Sequence, residues 1–574
     1  MPRKQIRERD PTPKFNLKGG GKMRARRSEK KKEKSNAIYA VALLLIIIFG
    51  LTLSTVFFVG PSFLYWPDNF NYAYLAYNTY LHPFSQPMGV VVLQNRYILI
   101  YWMAFFYWLF SPSPVSASFA GLSAFALTIL VIYKIGSLLH SRKAGLLSAL
   151  FYSFYPLASI LAADVTANVP SALFASLSAL FILKGLKSKE GRQVNYLLSA
   201  FFSFVGYLVD AVTLVMLSFL GILLLVELVK SARNRSLKEF AGEVSYFIAG
   251  LLIAFILIAG LDVLFSGNPL TTLWLTGNPY PRISTTPTSL SEFFVRFSSY
   301  IGWLLPYNIV YKLSHTGLAN FSSPGALFQM LKNYTAPPYD IALWSDQVGF
   351  FGYFTIACIL FLAAKREKSA YFPALWFFST LLYLAFGTVS ITSYLPIPNF
   401  VPRFMMIFAP AMALLIGIAF TVAIELKQKG LASSLRYGTV IVAFLFLLLT
   451  SIVTIHYVRV NEYVGVFPLQ QLSDYVHTLP VGTTLYYESH LRAILPVYVP
   501  SGYKLQEIGP PFNCSLLPAN SYIISSQNNT LEATCGLQTL FAPEPSPDLS
   551  AYGLVIWYGN NNATTYMLRV FYHR

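Results

Sequence analysis

The 574-residue chain reads as an all-α polytopic membrane protein of about eleven transmembrane helices, with a small extracytoplasmic α/β domain at its C-terminus. Three observations predict this. The composition is 55% hydrophobic, 16% aromatic and only 11% charged, which is more apolar surface than soluble domains can bury. Lys and Arg clusters recur between the apolar runs, and all fall on one side when the runs are threaded alternately through a bilayer. The last 119 residues lose the long apolar runs and carry one amphipathic helix pattern followed by short strands.

Met1 to Asn36 holds fourteen Lys/Arg and four Asp/Glu, so this tail carries +10 of the net charge of +18. With Gly19-Gly20-Gly21 and no apolar face, it is expected to be a disordered cytoplasmic tail resting on anionic membrane lipids. Phe15 is the tail's single aromatic residue and no nucleic-acid-binding motif accompanies the charge, which argues against nucleic acid as a partner. Ala37 to Gly60 is long enough to span and lacks the small-residue cleavage site of a signal peptide, so it is expected as an uncleaved signal-anchor. The first outer loop then covers Gly60 to Pro114. Within it, Arg96 to Phe110 is expected as an aromatic helix lying in the interface, because a span there would put Arg142 and Lys143 outside. Spans 2 to 7 are expected at residues 115–139, 145–161, 170–183, 196–208, 211–229 and 246–265. A long outer loop, 266–346, leads to spans 8 to 11 at 348–364, 371–386, 404–424 and 437–455. The expected domains are therefore 1–36, a cytoplasmic tail; 37–455, a membrane domain with outer loops 61–114 and 266–346; and 456–574, outside.

Glycosylation sequons at Asn320, Asn333, Asn513, Asn528 and Asn562 all fall on segments placed outside, against one at Asn234 inside. Cys358 lies within span 8 as a small buried hydrophobe. Cys514 and Cys535 flank an Asn-rich outer loop, where either a disulfide or two unpaired thiols fits the spacing. In the last unit, Leu469, Leu472, Val476 and Leu479 have helical spacing, and Pro480-Val481-Gly482 turns into a strand at Thr484 to Tyr487. Further strands are expected at Ser521 to Ser525, Leu554 to Tyr558 and Met567 to Tyr572.

The chemistry concentrates after span 1, in WPDNFNYAYLAYNTYL. A carboxylate held at a membrane surface, with a cation some thirty positions on, suits a lipid-linked anion such as a polyprenyl-phosphate sugar. Breaking the bond from the sugar to the phosphate needs a base for the incoming hydroxyl and cations for the departing phosphate. Asp68 is the candidate base, at the start of a helix with Phe70, Tyr74, Tyr77 and Leu81 on one face; an N-cap role after Pro67 explains it equally well. Arg96, and Arg403 in NFVPRF, are the candidate cations, each with snorkelling at the interface as the plain alternative.

From Asp68 to about Leu183 the sequence resembles the N-terminal half of the GT-C membrane glycosyltransferases, the superfamily of protein O-mannosyltransferases and lipid A aminoarabinose transferases. The residues carrying the resemblance are Asp68, Tyr72, Arg96, Tyr101-Trp102 and Leu109-Phe110-Ser111, with GSLLHSRKAGLLSALFYSFYP like the family's turn between spans 2 and 3. The resemblance implies a GT-C fold that moves a monosaccharide, a hexose such as mannose, from a polyprenyl (dolichyl) phosphate donor to a hydroxyl of a protein or glycan acceptor. It implies catalytic roles for Asp68 and Asp164, lipid-phosphate binding by Arg96 and site-lining roles for Tyr72 and Asn168; Arg403, read from its place just before span 10, is expected to bind the same phosphate. The sequence departs from the family where Asn69 replaces a second carboxylate and where Asn95 precedes Arg96. Either Asp164, or Asn168 with Pro170, matches the second-loop acidic motif. Transfer without metal is therefore expected, with no cofactor required and a bound divalent ion left as the alternative. No WWDYG-like motif appears, which sets aside en bloc glycan transfer to Asn. The competing reading is a transporter or flippase, drawn from Asp210 and Asp262 near the membrane; the large outer loops and the absence of visible internal repeats count against it.

Overall fold

The computed structural model describes residues 18–56, 68–83, 96–188, 190–234, 237–272, 350–388, 402–426 and 431–488, with short pieces at 297, 300–301, 304–305, 397, 491, 495–499, 502–508, 518–525, 535, 537–542 and 569–573. The five outer sequons and the strand expected at 554–558 lie outside these residues. Helix α1 is Lys18–Thr55, followed by α2 (Asp68–Leu81), α3 (Tyr97–Phe110), α4 (Pro114–Leu139), α5 (Arg142–Ser153), α6 (Pro156–Ala163) and α7 (Asn168–Lys187). Then come α8 (Arg192–Val205), α9 (Met216–Asn234) and α10 (Leu237–Ser266), α11 (Phe351–Ala364), α12 (Tyr371–Phe386), α13 (Ala409–Glu425) and α14 (Leu431–His477).

Each of the eleven expected spans coincides with helical structure. Seven described helical segments are long and apolar enough to cross a membrane, and an eighth arises when α5 and α6, bent by 61°, are taken as one. The bend falls where Pro156 removes an amide donor and forces its predecessor out of helical geometry. The other three expected spans fall on α8, α11 and α13, of 14, 14 and 17 residues. Close helix packing depends on small residues. A Cβ at Gly417 of α13 would lie 2.5 Å from the Ser148 backbone nitrogen of α5, so only glycine permits this approach.

Helix α3 buries Tyr97, Leu99, Ile100, Met103, Ala104 and Tyr107 against α2 and α4 while Phe105, Trp108 and Phe110 stay exposed. That one-sided burial is the pattern of a helix lying on a bundle rather than within it.

The C-terminal unit is a five-stranded sheet of β1 (Thr484–Glu488), β2 (Lys504–Ile508), β3 (Ser521–Ser525), β4 (Gln538–Phe541) and β5 (Arg569–His573), in the order β2-β1-β3-β5-β4. Strands β1, β2 and β3 run parallel, and β5 lies antiparallel to both of its neighbours, β3 and β4. A short helix, α15 (Leu495–Tyr498), packs on α2 and α14. Leu469, Leu472, Val476, Leu485 and Ile524 share one hydrophobic cluster with Phe70 and Tyr72 of α2, so the sheet unit and the start of the bundle are packed as neighbours.

Three features differ from expectation. Helix, not disorder, is found from Lys18 onward, because RARRSEKKKEK is made of strong helix formers. The amphipathic helix ending near Leu479 is the end of α14, which runs on through Pro468 without a break. Strands β2 and β4 went unread; both are sheet edges whose residues are half-exposed, so their sequences lack an apolar face. Cys535 is disulfide-bonded and Cys358 is a free buried thiol; Cys514 lies outside the described residues.

Candidate functional site

The expected site residues gather at the bundle end on which the sheet unit sits. Asp68 opens α2, and its side chain lies outside the described part. One turn on, Tyr72 is buried, and its ring carries the Arg96 guanidinium 5.2 Å above its centroid. Arg96 immediately precedes α3, whose first turn has no side-chain cap. Arginine and helix N-terminus thus bring two sources of positive potential to one place.

Asp210 completes this arrangement. Its Oδ1 lies 3.3 Å from Arg96 Nη2, with side-chain exposures of 12% for Arg96 and 4% for Asp210. The same oxygen accepts the Val212 amide at 3.4 Å, capping the 3-10 turn Ala211–Val215. The sequence offered Asp210 only as an acid near the membrane, and this pairing was not read from it. The only available signal was its isolation: a lone acid at an apolar boundary calls for a partner.

Asp262, the other acid of the transporter reading, is fully buried near the end of α10. It accepts the Thr272 amide at 2.8 Å, the Thr272 hydroxyl at 2.5 Å and the Tyr97 hydroxyl at 3.3 Å. Burial, and after it the Asp262 carboxylate, push the Tyr97 phenol above its ordinary range, so it stays a neutral donor. The first turn of α3 is thereby fastened on two sides, through Arg96 to Asp210 and through Tyr97 to Asp262.

Arg403 lies in the 3-10 turn Pro402–Ile407, which packs against α7, against Ala211–Val215 and against α6. The structure therefore puts the segment carrying Arg403 beside the segment carrying Asp210. Asn168 begins α7 and is buried near the same end. Asp164, in the α6–α7 turn, is fully buried; its Oδ1 accepts Arg459 Nη1 at 2.7 Å, and Arg459 also donates to the Ile160 carbonyl. Arg459 belongs to α14 and went unnoticed in the sequence, where it lies past the expected last span.

The described donors do not suit a divalent cation. No group of three His, Cys, Asp or Glu gathers among the described residues, and Asp164 and Asp210 are each committed to an arginine while Asp262 is committed to hydrogen-bond donors.

Residues 97–261 match the family model of dolichyl-phosphate-mannose-protein mannosyltransferases. Comparison by sequence with curated proteins finds no match. Among solved structures, ArnT from Cupriavidus metallidurans bound to undecaprenyl phosphate is similar with a TM-score of 0.54 and 13% identity, covering 94% of this chain and 98% of that one. The same protein in the apo state gives the same values. The oligosaccharyltransferase AglB of Archaeoglobus fulgidus, in complex with an inhibitory peptide and a dolichol-phosphate, matches at a TM-score of 0.47 and 12% identity, over 86% of this chain and 69% of that one. The resemblance to GT-C membrane glycosyltransferases read from the sequence is borne out in the architecture: over nearly its whole length the chain shares the fold of ArnT.

Proposed function

We propose that the protein is a membrane glycosyltransferase that moves a monosaccharide from a polyprenyl phosphate to an acceptor hydroxyl on the extracytoplasmic side. The observation that carries this reading is the Arg96 guanidinium, fixed over Tyr72 and against Asp210 at the start of α3 and still partly exposed. A mostly buried arginine at a helix N-terminus, beside the segment of a second arginine, suits a phosphate at the membrane surface. The solved structure with undecaprenyl phosphate, of the same fold, supports a lipid-linked donor.

In the proposed reaction the acceptor oxygen attacks the anomeric carbon, and its proton passes to the Asp68 carboxylate. The bond from that carbon to the phosphate oxygen breaks, and its electron pair leaves with the polyprenyl phosphate, held by Arg96 and Arg403. We assign the base to Asp68 rather than Asp164, since the latter is fully buried and paired. Tyr72 and Asn168 line the site, and the acceptor is a protein or glycan. The two acids behind the transporter reading are both engaged at this one end, which favours the enzyme.

The class is tested by supplying purified protein with a radiolabelled polyprenyl-phosphate sugar such as dolichyl-phosphate mannose, together with candidate acceptors. Label that stays on the lipid with every acceptor, while vesicle assays show lipid movement, would leave the transporter standing. Replacing Arg96 or Arg403 by Gln should weaken donor binding by about 1.5–3 kcal/mol, the worth of a charge-assisted hydrogen bond. Unchanged donor affinity in both variants removes them from the site.

The sidedness has its own test. We place the tail, residues 1–36, in the cytoplasm and residues 456–574 outside, so a cysteine introduced at Asn528 should label from outside in intact cells. One introduced at Lys187 should not, and the reverse pattern would invert the topology.

A further inference from the structure

We propose that Asp210 is a positioning residue that moderates Arg96 so that the spent carrier phosphate can leave; this rests on the donor reading above. The donor is a phosphodiester with one negative charge. After transfer the carrier is a phosphomonoester, which approaches two charges at neutral pH. An arginine that binds the donor therefore binds the product more tightly, and a site made only of cations would be held shut by its own product.

Asp210 stands where it can counter this. It lies 3.3 Å from Arg96 and is almost fully buried, so its charge acts through little water. It is rigidly placed, because its Oδ1 also accepts the Val212 amide and its backbone amide donates to the Gly206 carbonyl at 3.0 Å. Its position beside the turn that carries Arg403 extends the same field toward the second cation. Like-charge repulsion scales with the phosphate's charge, so Asp210 weakens the product more than the donor. Meanwhile its ion pair and the Tyr72 ring keep the guanidinium in one orientation.

The test uses the full chain in lipid nanodiscs, with undecaprenyl or dolichyl phosphate as the product probe and the matching sugar-phosphate as donor. Asp210→Asn should bind the carrier phosphate about tenfold more tightly and the donor by a smaller factor. Turnover should fall and become more sensitive to added carrier phosphate. Asp210→Ser, which keeps a capping oxygen for Val212, should show the same order and guards against a folding defect. A purely structural Asp210 predicts weaker binding of both lipids; that result, or an unchanged ratio between them, overturns the inference. If the parent protein fails to bind carrier phosphate and Arg96→Gln changes nothing, the donor reading itself has failed and the inference falls with it.

Discussion

Asp68→Asn should leave a folded protein that still binds donor but transfers sugar at about a hundredth of the parental rate or less. The exchange keeps the size of the side chain, and Asn caps a helix about as well as Asp. Helix α2, which begins at Asp68, is therefore not expected to unravel. What is lost is the proton acceptor. An Asp with an ordinary pKa near 3.9 is a weak base, so its value depends on standing next to the hydroxyl as the phosphate departs. If Asp68 were only a cap, Asn would be nearly neutral for both stability and rate. Measuring transfer rate and donor affinity in one preparation separates these cases: near-parental turnover in Asp68→Asn would remove the base assignment.

The architecture was legible in the sequence because the bilayer imposes a strong rule. Apolar runs must be helical and basic loops must share a side, and every expected span fell on helix. The helix pattern of Leu469, Leu472 and Val476 was equally legible, since burial on one face follows from spacing. Its continuity with the last span was not, because Pro468 reads locally as a start. Tyr72 and Arg96 were expected together from motif, and the structure brings them into contact. The partners Asp210 and Arg459 were not found. Each lies more than a hundred positions from the residue it pairs with, and nothing local marks a long-range ion pair. A buried charge advertises that it has a partner, never which one.

The Asp164–Arg459 pair supplies the sharpest structural prediction. Both side chains are completely buried, Asp164 Oδ2 meets no hydrogen-bond donor among the described residues, and Arg459 joins α14 to the α6–α7 turn. Removing one partner leaves an uncompensated charge in a medium that solvates it poorly, so Arg459→Met should destabilise the protein by about 3–5 kcal/mol. Replacing both, as in Arg459→Met with Asp164→Leu, removes the stranded charge and should recover most of that loss. Thermal unfolding of the four proteins in the same detergent measures the coupling. Activity then decides what Asp164 does. If its carboxylate takes part in transfer, the double variant will be stable and inactive. If it serves to dock α14, and through it the sheet unit, beside α2, the double variant should regain turnover along with stability. We expect the second outcome, because a carboxylate with no exposed surface and an arginine at 2.7 Å has no route to an acceptor hydroxyl.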